Sequence, residues 1–376
     1  MRWIIRIVIA ILALIGLLIL GLYITGNGYL IKGVRATYLR GEVSATFDDK
    51  TFFAQRTIKN GSSIQPLPQH SEYGAFALSN DILLMLEETE ASAFIIVKND
   101  SILYERYPLT DEAFTSNSFS MAKTVVTLMA QITHQNGTLS WNDKLTKYIP
   151  ELEGEFADSV RLYHLSTMTA GLKWQEQYKN PFSTMAKAYY GKDIEGLVTG
   201  SPVHRMPGKE FEYRSGTTQL LAIALMRATG ESLSDLASEL LWKPLGMEGN
   251  ASWHLDIEDG MELAYCCINA RARDFARLGM MVKNHGRVND VSIVDSAFIA
   301  TARSPYRSPE YGWSFWISKR DNVDVGYFRG VWGQFIIPIP ERDVVVVRLG
   351  KQHMEKSDGI HPDDVHRLID FVMETL

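Results

Sequence analysis

Three kinds of hydrophobic pattern succeed one another along the chain. Ile7 to Ile24 run without a charge, about the length a helix needs to cross the hydrocarbon core of a bilayer. Arg2 and Arg6 precede the run, and Trp3 and Tyr23 stand where aromatic rings suit the two interfaces. Thr25-Gly26-Asn27-Gly28 is a poor small-x-small cleavage site, so residues 1–25 read as an uncleaved transmembrane signal anchor. The competing reading is a cleaved signal ahead of a soluble protein. Residues 26–84 follow as a polar, irregular juxtamembrane connector, broken at Asp48-Asp49-Lys50, Asn60-Gly61-Ser62-Ser63 and Pro66/Pro68.

The next pattern predicts a strand pair, Ala93 to Val97 and Ser101 to Tyr107, turning at Lys98-Asn99-Asp100. From about 118 to 285 the period is mainly helical. One helix carries Val125, Val126, Leu128, Met129 and Ile132 and stops at Asn136-Gly137. Another spans Thr218 to Thr229 before Gly230, and a third spans Arg271 to His285 with Phe275, Leu278 and Met281 in phase. The C-terminal part returns to strands at Tyr311–Ile317, Val325–Phe328, Gln334–Ile339 and Asp343–Leu349, with a closing helix from about Pro362 to Leu376. The expected class is α+β, one antiparallel sheet flanked by helices with a helical insertion.

Composition changes this picture little. Hydrophobic residues make up 46% and charged residues 22%, ordinary for a globular chain with an ample core. The net charge of −6 and the lack of a basic stripe with interleaved aromatics argue against nucleic-acid binding. Lys32, Arg35 and Arg40 balance Arg2, Arg6 and the amino terminus, so charge alone does not orient the anchor. The expected arrangement is single-pass, with the catalytic part on the extracytoplasmic (periplasmic) side. Nothing in the sequence sets an oligomeric state. Cys266 and Cys267 are adjacent, and neighbouring cysteines rarely close without strain; they read as two small buried residues. His353, His361 and His366 lack ligand-like spacing and read as a solvated turn, so neither metal nor cofactor is expected.

Candidate chemistry begins at Ser120-Met121-Ala122-Lys123, the single Ser-x-x-Lys of the chain. One helical turn brings Ser120 Oγ and Lys123 Nζ together. A desolvated lysine can then deprotonate the hydroxyl beside it. Ser120 also heads a helix, where free N–H groups favour negative charge on oxygen. A second shuttle is needed, and Tyr213-Arg214-Ser215 after the Pro207-Gly208 turn offers a phenol and a hydroxyl. Tyr306-Arg307-Ser308 has the same pattern but sits before the strands between Pro305 and Pro309. The loop setting ahead of a long helix favours Tyr213. The aromatics Trp313, Phe315 and Phe335 read as core, while Trp332 stands at the edge of that set.

Further blocks lie around these motifs: Gly137 to Glu151, His164 to Trp174, Pro207 to Ser215, Trp242 to Met247, Cys267 to Asp274, Gly330 to Gln334 and Pro340 to Gly350. In this order they resemble the serine β-lactamase and penicillin-binding-protein superfamily, in its class C-like branch. They are most similar to the 6-aminohexanoate-dimer hydrolase type of serine hydrolase. The resemblance implies a β-lactamase/DD-peptidase-like domain over 85–376, with the site between the sheet and a helical lobe. It implies Ser120 as acylated nucleophile, Lys123 as base and Tyr213 as acid for the leaving group. The N–H groups of Ser120 and Val331 would form the oxyanion hole. Tyr178, Ser215, Asn269, Gly330 and Trp332 would face substrate, a small amide or ester. Two departures matter. The strand motif that carries a cation in β-lactamases is here Phe328-Arg329-Gly330, and the second motif ends in Ser215 where most members have Asn. Both turn the expectation from β-lactams toward other amides and esters, with Arg329 or Arg214 as substitute cations. The loss of the cation also leaves open a catalytically silent fold kept as a binding or regulatory membrane protein.

Overall fold

The structure, a computed structural model, describes every residue except 63, 65, 321 and 322. Ser63, the last residue of the predicted break, lies outside the described residues. The uncharged run forms α1 (Arg2–Ile24), none of whose residues is buried. It is long and apolar enough to cross a membrane. The stretch predicted as an irregular connector has elements of its own: α2 (Tyr29–Ala36), β1 (Ala54–Ile58) and α3 (Asn80–Glu88), the last capped by the Ser79 side chain.

β2 (Ala91–Lys98) and β3 (Ser101–Arg106) make the predicted hairpin, and β4 (Ser116–Asn117) leads into α4 (Met121–Gln135). The helical middle continues with α5 (Leu162–Ser166), α6 (Thr184–Tyr190), α7 (Ile194–Thr199), α8 (Ser215–Thr229) and α9 (Leu233–Ala237). β5 (Ala251–Leu255) and β6 (Ile268–Ala270) interrupt it before α10 (Ala272–Lys283). A small hairpin, β7 (Arg287–Val288) and β8 (Val291–Ser292), precedes α11 (Ser296–Ala302). The chain closes with β9 (Trp316–Arg320), β10 (Val323–Gly330), β11 (Gln334–Ile339), β12 (Val344–Gly350) and α12 (Asp363–Thr375).

The main sheet is antiparallel in the order β3-β2-β12-β11-β10-β9. Its alternate residues serve two cores. Ile95, Val97, Ile336, Val345 and Val347 pack toward α4 and α10, whereas Phe94, Ile96, Ile337, Val344 and Val346 pack toward α3 and α12. Covered on both faces, its central strands read as unbroken apolar runs such as Val344-Val345-Val346-Val347. The single sheet of the sequence reading needs correction. A second sheet, β1-β5-β6-β4, joins the segment after α2 to the loop before α4. Two of its strands, β4 and β6, are too short to show a period of two.

Three other expectations are corrected. The strand predicted at Tyr311–Ile317 starts only at Trp316, because Ser314 takes a left-handed φ of 61° and its carbonyl accepts from Thr124 Oγ1. Cys266 and Cys267 are buried as expected, but their sulfurs are bonded to each other. Cys267 takes φ 77°, a conformation that the sequence gives no sign of. His361 does not lie on a solvated turn: it is buried, with Nδ1 2.8 Å from the Tyr327 hydroxyl. Burial pushes its pKa down to about 4.

Candidate active site

The loop Asn117-Ser118-Phe119 is pinned before α4 starts. Ser118 N–H donates to Ile268 O at 2.7 Å, and Ile268 N–H donates back to Ser118 Oγ at 3.0 Å. Phe119 takes φ 44°, a costly conformation for an aromatic residue that a fixed surrounding must hold. The following residue, Ser120, is the N-cap of α4 and is partly exposed. One turn on, Lys123 is only 1% exposed. Its Nζ lies 2.8 Å from Ser120 Oγ and 2.9 Å from Tyr265 O. Burial lowers the Lys123 pKa to about 8, while the Glu176 carboxylate works in the opposite direction.

Tyr213 flanks the same pair. Its ring centre lies 5.0 Å from Lys123 Nζ and packs against Tyr311 and Trp316. Desolvation raises the phenol's pKa, and hydrogen bonding with Ser120 opposes the rise. Tyr306-Arg307-Ser308 is committed elsewhere, with the Arg307 guanidinium over the Tyr306 ring and Ser308 Oγ on Glu310.

Ser215, at the first turn of α8, is buried, and its polar atoms are engaged by Glu176. Its Oγ donates to Glu176 Oε1 at 2.6 Å and its N–H to Glu176 Oε2 at 2.7 Å. Tyr178 is 52% exposed, and its hydroxyl donates to Glu176 Oε1. Glu176 thus ties the Trp174–Tyr178 loop to the N-terminus of α8, where a carboxylate complements the helix dipole. The sequence reading missed this residue. Its signal was its position two residues before Tyr178.

The far wall is the turn between β10 and β11. Gly330 ends β10, and a Cβ there would collide with Ser118 O, so the strand end lies directly against the loop that carries Ser120. Val331 follows, then Trp332 and Gly333 with φ 62° and 81°. Gln334 Nε2 donates to Trp332 O at 3.1 Å and to Gly350 O at 2.7 Å. Arg348 is fully buried and donates to Trp332 O at 3.0 Å, Gly333 O at 2.7 Å and Thr89 O at 2.7 Å. Sequence reasoning missed this clamp, which depends on a contact between strands.

Trp332 is partly exposed at that turn, next to Gly330 and Val331. Asn269 is not brought to the cleft surface: it is 0% exposed in β6, paired with Asn117, and its Nδ2 reaches Cys267 O at 3.4 Å. Arg329 donates to Ile360 O at 2.8 Å and stacks on Trp316, and Arg214 donates to Glu212. Among the described residues no cluster of His, Cys, Asp and Glu is arranged to hold a metal.

Comparison with known proteins identifies the fold and the family. The chain is 26% identical over 298 residues to the 6-aminohexanoate-dimer hydrolase of Paenarthrobacter ureafaciens, covering 72% of this chain and 74% of that one. Among solved structures, a Bacillus anthracis protein provisionally named a 6-aminohexanoate-dimer hydrolase matches with a TM-score of 0.74 at 22% identity. That match covers 90% of this chain and 93% of the other. A family VIII carboxylesterase matches with a TM-score of 0.63 at 14% identity, over 82% of this chain and 99% of that one. At such identities the structural matches establish the fold. The sequence profile of the Beta-lactamase family spans residues 86–369, most of the chain and all of the site's side chains, and the chain belongs to that family.

Proposed function

We propose that this chain is a membrane-anchored serine hydrolase that cleaves an amide or ester through an acyl-enzyme on Ser120. The observation that carries the reading is the Ser120–Lys123 pair: Nζ is 2.8 Å from Oγ on a lysine that is 1% exposed. Neutral Lys123 takes the Ser120 proton as Oγ attacks the substrate carbonyl carbon. The N–H groups of Ser120 and Val331 receive the oxyanion. As the tetrahedral intermediate collapses, the bond to the leaving amine or alcohol breaks. The Lys123 ammonium returns its proton to that group through the Tyr213 phenol. Water then attacks the acyl ester, giving its proton to the same groups, and the acid and free Ser120 are released.

The relatives' names, a dimer hydrolase and a carboxylesterase, support the amide or ester class. The commitment of Arg329 to Ile360 and Trp316 supports it over substrates held by a carboxylate. The apolar α1 supports a single-pass anchor. Ser120→Ala is expected to abolish both turnover of p-nitrophenyl esters and labelling by a fluorophosphonate probe. Undiminished labelling of the variant overturns the assignment. A wild-type protein that never forms a Ser120 adduct by mass spectrometry replaces it with the silent binding fold.

A further inference from the structure

The segment between α1 and the family-matched region sends one carboxylate to the loop that carries Ser120. Asp49 is 0% exposed. Its Oδ1 accepts from Asn117 Nδ2 at 3.4 Å and its Oδ2 from the Tyr189 hydroxyl at 2.9 Å. Asn117 is likewise 0% exposed, and its Oδ1 accepts the Phe119 N–H at 2.9 Å. The backbone reinforces the contact, since Asn117 N–H donates to Phe47 O at 2.9 Å. We propose that Asp49 is a positioning residue for Ser120, acting through Asn117 to hold Phe119 in the left-handed conformation that presents the hydroxyl to Lys123.

Donor and acceptor chemistry carries the argument. A side-chain amide has one donor end and one acceptor end, and which end points where is set by its neighbours. Asp49 Oδ1 takes the Nδ2 end of Asn117, and Asp49 Oδ2 takes the Tyr189 proton, so that the Tyr189 oxygen, 3.4 Å from the same Nδ2, accepts there as well; Oδ1 of Asn117 is left for the Phe119 N–H. Without Asp49 the Tyr189 hydroxyl is no longer held as an acceptor either, and the amide can turn, setting an N–H against an N–H at the residue just before Ser120. The φ of 44° at Phe119 is then no longer enforced. The profile match begins at residue 86, so Phe47 and Asp49 are supplied by sequence outside the shared family region. β1 pairing with β5 fixes the same segment to the sheet that contains β4 and Asn117.

The inference rests on Ser120 as the nucleophile, and its test has a readout that does not. Asp49→Leu in the full-length protein removes the acceptor and puts a larger apolar side chain in its place. The expected result is fluorophosphonate labelling slowed roughly ten- to a hundredfold, as for a misplaced reacting group. Faster amide hydrogen exchange is expected over residues 115–121 and not across the rest of the core, with some loss of melting temperature from the unpaired Asn117 and Tyr189 donors. Asp49→Asn offers its own Oδ1 to Asn117 while the Tyr189 oxygen accepts its N–H, so it restores labelling and exchange protection. A merely space-filling position would raise exchange throughout the surrounding core and leave no excess at residues 115–121. Asp49→Leu labelled at the wild-type rate with wild-type exchange overturns the proposal, and so does Asp49→Asn behaving like Asp49→Leu. Should Asp49→Leu not fold, Asn117→Ala keeps Asp49 and Tyr189 but cuts the link to Phe119. The same losses are expected there, and wild-type behaviour overturns the proposal. If wild-type protein is not labelled at Ser120, the functional reading falls, and the exchange result alone decides this one.

Discussion

At Lys123 two environments oppose each other. Burial favours the neutral amine, and the Glu176 carboxylate favours the ammonium, leaving the pKa lowered to about 8. Acylation needs the neutral form, so the labelling rate should rise with pH through a midpoint near that value and level off above it. The sign of a substitution follows. Glu176→Gln removes the charge that holds the proton, so the midpoint should move to lower pH. The same change gives Ser215 one acceptor fewer, costing about 1 kcal/mol of stability. A pH–rate profile with melting curves checks both; a midpoint that stays or rises contradicts the electrostatic role. Ser120 and Lys123 were legible as a pair because one helical turn fixes their relation locally, and Tyr213 was singled out by a short motif set between a turn and a long helix. Glu176 and Asn269 were not, because which side chain faces the cleft depends on how separate segments pack.

The β10–β11 turn shows what an element contributes beyond its residues. Two consecutive left-handed residues, Trp332 and Gly333, reverse the chain beside Ser118, and their carbonyls point at Arg348. Burial lowers the Arg348 pKa to about 10, with Asp364 as the opposing charge. Its hydrogen bonds to carbonyls fix the turn that, in the proposed mechanism, presents the Val331 N–H. Arg348→Met strands those carbonyls, so kcat should fall toward the roughly hundredfold loss of a missing oxyanion donor, with KM little changed. Steady-state kinetics on variant that keeps the wild-type far-ultraviolet spectrum checks this, and an unchanged kcat removes Arg348 from the positioning set. The strands of this wall were legible, β11 with its predicted bounds at Gln334 and Ile339, because apolar runs between turn residues carry their own signal. The guanidinium inside the sheet was not, since an arginine in a strand pattern normally reads as facing solvent.

At the scale of the whole molecule, α1 stands apart from the body, and the chain after it does not. Tyr29, at the start of α2, donates its hydroxyl to Pro181 O at 3.1 Å, and Gly33 lies against the Tyr190 ring. β1 then enters the second sheet. The sequence made 26–84 look like a tether, because polar residues facing a partner across a domain surface resemble residues facing water. These contacts leave few free residues between Ile24 and the folded body, so an inserted α1 holds that body close to the bilayer. The full-length protein should therefore sediment with membranes, resist extraction at alkaline pH in carbonate, and keep its fluorophosphonate labelling in the pellet. Detergent should release it with an intact N-terminal mass. An N-terminus beginning after residue 24, on a labelled protein in the soluble fraction, would show that α1 is a signal removed during export. In that case α2 and β1 would still be retained, because their hydrogen bonds and strand pairing belong to the enzyme and not to the anchor.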